Sequence, residues 1–234
     1  MVAEVASRRG DARREAPPPT WSFLTNHPVL LIYITQHPGS TVRSIALDVG
    51  LTERATLAIL RDLDDERLVE RHRHGRRNTY VVRYQRLIGM VTAGTPANAV
   101  VEAVVRALIS IAPEGRAASR NRPAPSAEDR EARVGSWVFF TNHMALLIAI
   151  ARAPTMTVRE LAVLTRLTER GMLSILNQLE AEAIVLRHRE GRRNRYTIDL
   201  DAFRAFRGWS YATWAIPEQL IDVAAKGIRA VGRG

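Results

Sequence analysis

The sequence has no cysteine, one lysine (Lys226) and few aromatics, 6% of 234 residues. Without cysteine there is no disulfide framework and no thiolate metal site. No apolar run approaches the roughly 18 residues of a membrane-spanning helix, so no membrane partner is expected. The first twenty residues, MVAEVASRRGDARREAPPPT, lack the apolar core of a secretory signal. They mix both charge signs and end in prolines, which predicts a disordered arm over 1–20. There is no glycine-rich phosphate loop, nucleophile elbow or paired-carboxylate motif. The expectation is a cytoplasmic, nucleoid-associated protein that is not an enzyme and needs no cofactor or metal.

What the sequence does have is positive charge, +10 overall and almost all of it arginine. This predicts a polyanionic partner, most simply nucleic acid. Arginine bias also arises in GC-rich genomes, so the placement of the arginines carries more than their number.

The chain is also duplicated. RHRHGRRNTY at 71–80 returns as RHREGRRNRY at 187–196, and Trp21 returns as Trp137, a shift of 137 − 21 = 116. At that shift about half of positions 21–80 match without gaps. A Pro-, Ser- and charge-rich stretch at 113–136 separates the copies and reads as a linker. The division is therefore a domain over 21–112 and a second over 137–234. Each ends in an apolar helical stretch, ANAVVEAVVRALISIA at 97–112 and IPEQLIDVAAKGIRAV at 216–231.

Within the first copy, Thr25 is placed to N-cap a helix running to about His37, with Leu30, Leu31 and Ile34 at helical spacing. A short helix follows, with Val42, Ile45, Ala46 and Val49 on one face. Gly50 turns the chain. Thr52 caps the next helix, which faces Thr56, Ile59, Leu60 and Leu63 inward and Arg54, Leu57, Ala58 and Arg61 outward. The second copy has Met172, Ile175, Leu176 and Leu179 inward and Arg170, Leu173, Ser174 and Asn177 outward. The period then changes to alternation in LVERHR and TYVVRY, with HGRRN between them. That predicts a hairpin whose tip uses Gly75 and Asn78.

Short helix, glycine turn, second helix and basic hairpin together resemble the winged helix-turn-helix of MarR- and ArsR-type bacterial transcription regulators. The resemblance is carried by TVRSIALDVGLTERATLAILRDLDDERLVER and by HGRRNTY and EGRRNRY, over about 21–86 and 137–203. It implies a mainly α fold with small β wings (α+β): two tandem winged helix-turn-helix domains, each followed by an extra C-terminal helix. Gly75 and Gly191 precede Arg-Arg where MarR wings carry Asp-Arg, and the ArsR metal-sensing cysteines are absent. Neither family's effector carries over.

The resemblance implies a sequence-specific regulator of double-stranded DNA, with the two copies serving as a built-in pseudo-dimer. Arg54, Arg61, Arg170 and Asn177 would read base edges in the major groove, beside Ala58 and Ser174. Leu57 and Leu173 either touch thymine methyls or complete the core. Thr52 and Thr168 cap helices or hold a phosphate. Arg43 and Arg159 contact phosphate or stay solvated. Arg76, Arg77, Arg192 and Arg193 would grip the backbone or minor groove. His27 and His143, and His72 and His188, repeat without a metal-ligand spacing and read as packing residues. Two other readings stay open: a protein-interaction scaffold, and a repressor gated by a small molecule. Residues 97–112 are too apolar to remain exposed. Either the 216–231 helix covers them or they form a homodimer interface.

Two differences between the copies bear on this. Outward positions diverge at Ala58/Ser174 and Arg61/Asn177, which predicts different half-sites. Arg166 stands where the first copy has Gly50, so a left-handed turn there would be strained.

Overall fold

The computed structural model describes residues 19–74, 77–84, 86–87, 96–112, 139–191 and 193–233. It is mainly helical, with two small antiparallel two-stranded sheets. The first copy contributes α1 (Asn26–Gln36), α2 (Val42–Val49), α3 (Glu53–Asp65), β1 (Val69–His74), β2 (Arg77–Val82) and α4 (Pro96–Ser110). The second contributes α5 (Asn142–Arg152), α6 (Val158–Thr165), α7 (Glu169–Ala181), β3 (Val185–Glu190), β4 (Arg193–Ile198), α8 (Leu200–Arg204) and α9 (Glu218–Val231). The arm at 1–18 and the linker at 113–136 lie outside the described residues, as do Trp137, Gly75, Arg76 and Arg192.

The short helices start and stop for local reasons. Thr41, Thr52, Thr157 and Thr168 each accept a backbone N–H three residues on, and Thr157 adds a full capping box with Glu160. The α2–α3 turn passes through Gly50 at φ 76°, and Leu51 N–H donates to the Ala46 carbonyl at 2.8 Å. Arg166 adopts the same left-handed conformation, φ 57°, with Leu167 N–H on the Ala162 carbonyl at 2.9 Å. The turn is thus the same in both copies despite the loss of glycine. Arg67 and Ala183, again 116 apart, are left-handed at the next turn.

Two expectations need correction. Thr25 and Thr141 occupy the N-cap positions of their helices but make no side-chain cap hydrogen bond. Their hydroxyls reach the other copy instead, Thr25 to the Phe139 carbonyl at 3.5 Å and Thr141 to the Ser22 carbonyl at 2.6 Å. Asn78 is not at the hairpin tip but within β2, opposite Arg73. In each hairpin the last paired residues flank only two positions, His74↔Arg77 and Glu190↔Arg193, with Gly191 at φ 63°.

The copies do not form separate cores. Leu24 and Phe140, equivalent residues, form an antiparallel bridge. Thr25 N–H donates to the Phe139 carbonyl at 3.2 Å, and Thr141 N–H donates to the Phe23 carbonyl at 3.0 Å. Leu24 meets its own repeat equivalent, and the two flanking hydrogen bonds are repeat counterparts of each other, the mark of a two-fold contact. Trp21 stacks on His143 of the other copy at 4.0 Å, and Phe23 lies among Phe203, Phe206 and Trp209. Buried residues of both halves form one continuous cluster.

The trailing helices complete that cluster. Val100, Val101, Val104, Val105 and Leu108 of α4 are buried, as are Leu220, Ile221, Ala224, Ala225 and Ile228 of α9, and the two helices pack on each other. Of the two alternatives for 97–112, the structure has the one in which the 216–231 helix of the same chain covers the described apolar residues. The helices align at a shift of 120, pairing Val100 with Leu220, Glu102 with Asp222 and Arg106 with Lys226. The four extra residues, 120 − 116, precede α9. There the chain forms a tongue closed by a Ser210↔Ala215 bridge, which sequence reasoning did not foresee. It docks on the first copy: Thr213 donates to Asp48 at 2.6 Å and Trp214 Nε1–H donates to Gln36 at 2.9 Å.

Two stability changes should follow. Arg166→Gly removes a left-handed strain of about 1 kcal/mol or more and should raise the denaturation free energy by ~0.5–1 kcal/mol after the entropy cost of glycine. A Cβ on Gly227 would lie 3.2 Å from a Val100 methyl. Gly227→Val should therefore cost about 1–3 kcal/mol, and less in a Val100→Ala background, as read by urea denaturation.

Candidate nucleic-acid interface

The outward residues of α3 and α7 lie where the repeat pattern put them. Arg54, Leu57, Ala58 and Arg61 are exposed, and so are Arg170, Leu173, Ser174 and Asn177. Thr56, Ile59, Leu60 and Leu63 are buried beneath the first set; Met172, Leu176 and Leu179 lie beneath the second, with Ile175 partly buried. Leu57 and Leu173 are 39% and 40% exposed, so neither completes the core. Each face therefore offers an apolar spot flanked by polar or cationic groups at one-turn spacing.

Ion pairing divides the arginines into two sets. Arg83 pairs with Glu70, Arg106 with Glu102, Arg187 with Glu180, Arg195 with Glu190, and Arg204 with Asp201 and Asp222. Arg43, Arg54, Arg61, Arg159 and Arg170 are exposed, and none of them is in an ion pair among the described residues. These five, on α2, α3, α6 and α7, are among the exposed cations left for a partner. Arg193, at the second hairpin, is exposed and faces Glu160. Backbone and side-chain hydrogen bonds from Thr157, helped by Arg193, hold the Glu160 carboxyl below its ordinary value. The first copy has Ser44 at that position. The side chain of Arg77 is outside the described set, as are Arg76 and Arg192.

Thr52 and Thr168 are exposed helix caps, each with its hydroxyl oxygen on a backbone N–H at 3.1 Å. Leu47 and Val163, at equivalent outward positions of α2 and α6, are 68% and 74% exposed. Sequence reasoning passed over this pair, although both residues are apolar at the same shifted position.

His27 and His143, one repeat apart, tie α3 and α7 to the first helix of each copy. His27 Nε2 donates to Asp62 at 3.2 Å and His143 Nε2 donates to Gln178 at 2.7 Å, both across 35 residues. Each ties the first helix of its copy to the C-terminal half of α3 or α7. No cluster of His, Asp or Glu fit for a metal occurs among the described residues, and no described helix is long and apolar enough to cross a membrane. Comparison with family models, curated proteins and solved structures finds no match to this chain.

Burial pushes the His143 imidazole below its ordinary 6.5, against the hydrogen bond to Gln178, which raises it. The unfolded chain therefore binds this proton more readily than the folded one. The stability contribution is complete above the unfolded value and is lost as pH falls below it. Thermal unfolding between about pH 7.5 and about pH 5.5 should show the wild type losing stability on acidification. His143→Gln should lose less over the same interval, despite a lower starting point.

Proposed function

We propose that this chain is a sequence-specific double-stranded-DNA-binding transcription regulator acting in the cytoplasm on the nucleoid. In this reading it consists of two tandem winged helix-turn-helix units, over 21–112 and 137–234, fused into a pseudo-dimer. One observation carries the reading. An exposed helix face with uncommitted arginines occurs twice, on halves joined by a two-fold contact.

A major groove presents a distinct donor and acceptor pattern for each base pair. Arg54, Arg61 and Arg170 suit guanine, Asn177 suits adenine, and Leu57 and Leu173 suit a thymine methyl. Arg43 and Arg159 are placed for phosphate, with Thr52 and Thr168 at the helix starts. Arg76, Arg77, Arg192 and Arg193 would add salt-sensitive backbone affinity through the hairpins. Fusing the copies makes the second binding event intramolecular. Half-sites about 34–36 Å apart, one turn of DNA, are the natural target.

Enrichment of genomic DNA fragments on the purified chain, followed by motif discovery, should return a bipartite site with unlike halves. On that site, Arg54→Ala should cost about 1–3 kcal/mol and relax one position of one half. Arg76→Ala with Arg77→Ala should weaken binding to all sequences and lower the salt slope by about one unit for each phosphate no longer neutralised. No enriched motif together with an unchanged salt slope would sink the proposal. It would favour a protein-docking module, for which the exposed Leu47 and Val163 are the specific support.

A further inference from the structure

A cavity of about 610 Å³ lies in the second copy, between the end of α5, the base of the β3–β4 hairpin and the end of α9. Its walls include Ala151, Leu186 and Leu200, and Asp199, Asp201 and Arg229 lie around it. Its volume falls in the range of small-molecule sites.

The equivalent positions in the first copy are joined to one another. Thr35 and Tyr84, equivalent to Ala151 and Leu200, share a buried hydrogen bond, Tyr84 hydroxyl to Thr35 Oγ1 at 3.2 Å. Glu70 and Arg83, equivalent to Leu186 and Asp199, form an ion pair at 2.6 Å. On the trailing helix, at the shift of 120, Ile109 packs against the core where the second copy has Arg229. The second copy thus lacks a phenol ring and its hydrogen-bond partner, and it leaves Leu186 43% exposed. It has gained an arginine that is exposed and in no ion pair among the described residues.

The polar groups are of both signs. Asp199 Oδ1 accepts the Asp201 and Ala202 N–H groups, both at 2.9 Å, and its other oxygen takes no hydrogen bond among the described residues. Asp201 Oδ1 is paired with Arg204 at 2.9 Å. Tyr196 also lines the cavity; it is 1% exposed and its hydroxyl has no partner among the described residues. A buried hydroxyl left without a partner is costly, so a polar ligand atom near it would be favoured.

We propose that this cavity binds a small zwitterion with an apolar, ring-sized body, the chemistry of a free aromatic amino acid. The ring takes the space that Tyr84 fills in the first copy. Arg229 meets the carboxylate, and the Asp199 and Asp201 carboxylates meet the ammonium. A pure anion would face two carboxylates, and a pure cation would leave Arg229 uncompensated. The site occurs once per chain, and the inference stands apart from the DNA-binding reading.

Isothermal titration of the full chain with L-phenylalanine, 3-phenylpropanoate and 2-phenylethylamine tests it. L-phenylalanine should bind saturably at one equivalent per chain, and each single-charge analogue at least about tenfold more weakly. Ala151→Thr with Leu200→Tyr, which restores the first copy's residues, should abolish binding while thermal unfolding stays cooperative. Arg229→Ile should weaken L-phenylalanine and 3-phenylpropanoate but not 2-phenylethylamine. That single exposed change decides the matter if the filled variant fails to fold. Absence of L-phenylalanine binding up to about 10 mM, equal binding of all three probes, or binding unaffected by Arg229→Ile would each overturn the proposal.

Discussion

The molecule is organised around the contact in which Leu24 and Phe140 pair and the chain exchanges two backbone hydrogen bonds with its own repeat. Two such bonds contribute only about 1–3 kcal/mol net. Their importance is geometric. They bring Trp21 and Phe23 into the aromatic cluster of the other copy. Leu24, Phe140, Val104 and Ala224 then line one small void of about 10 Å³, where both copies and both trailing helices converge. At that packing density the halves cannot shift independently. The direction of each exposed helix is thereby fixed relative to the other.

The periodic elements were legible in the sequence because their cause is local. Ile45, Ala46 and Val49 are buried, Gly50 is left-handed, and Thr52 caps, each as its spacing and chemistry require. What was not legible depends on contacts across the copies. Thr25 and Thr141 have the sequence signature of caps, and only the facing copy explains why their hydroxyls point elsewhere. The tongue at Ser210–Ala215 has no period at all. Its position follows from Thr213 and Trp214 finding Asp48 and Gln36 far along the chain. The candidate reading faces were legible. The separation of paired from unpaired arginines was not, because Arg187 meets Glu180, and Arg204 meets Asp222, only through the fold.

Fusion also changes what the sequence is free to do. A two-fold homodimer must present identical surfaces on both sides, so any change appears twice. In one chain, Thr35 and Tyr84 can close a space that Ala151 and Leu200 leave open. Thr213 and Trp214 can buttress the first copy alone, at Asp48 and Gln36. Here asymmetry is the physical gain from duplication, and covalent linkage removes the concentration dependence that a dimer would carry.

Helices α3 and α7 show the same divergence. The C-terminal half of α3 carries Asp62, Asp64 and Asp65, where α7 has Gln178, Glu180 and Ala181. Negative charge at a helix C-terminus is unfavourable with the helix dipole and would repel a phosphate backbone. Asp62 accepts a hydrogen bond from His27 at 3.2 Å; Asp64 and Asp65 are exposed. Close approach of α3 to a polyanion is therefore favoured toward its N-terminal half, around Arg54, Leu57 and Ala58, with Arg61 next to Asp62 at the margin. In α7 only Glu180 remains, already paired with Arg187, so the restriction is weaker. On the proposed reading, the first copy supplies the more selective approach and the second the more permissive one. Arg61 and Asn177 differ in the same sense: the guanidinium stands beside Asp62, and the neutral amide beside neutral Gln178.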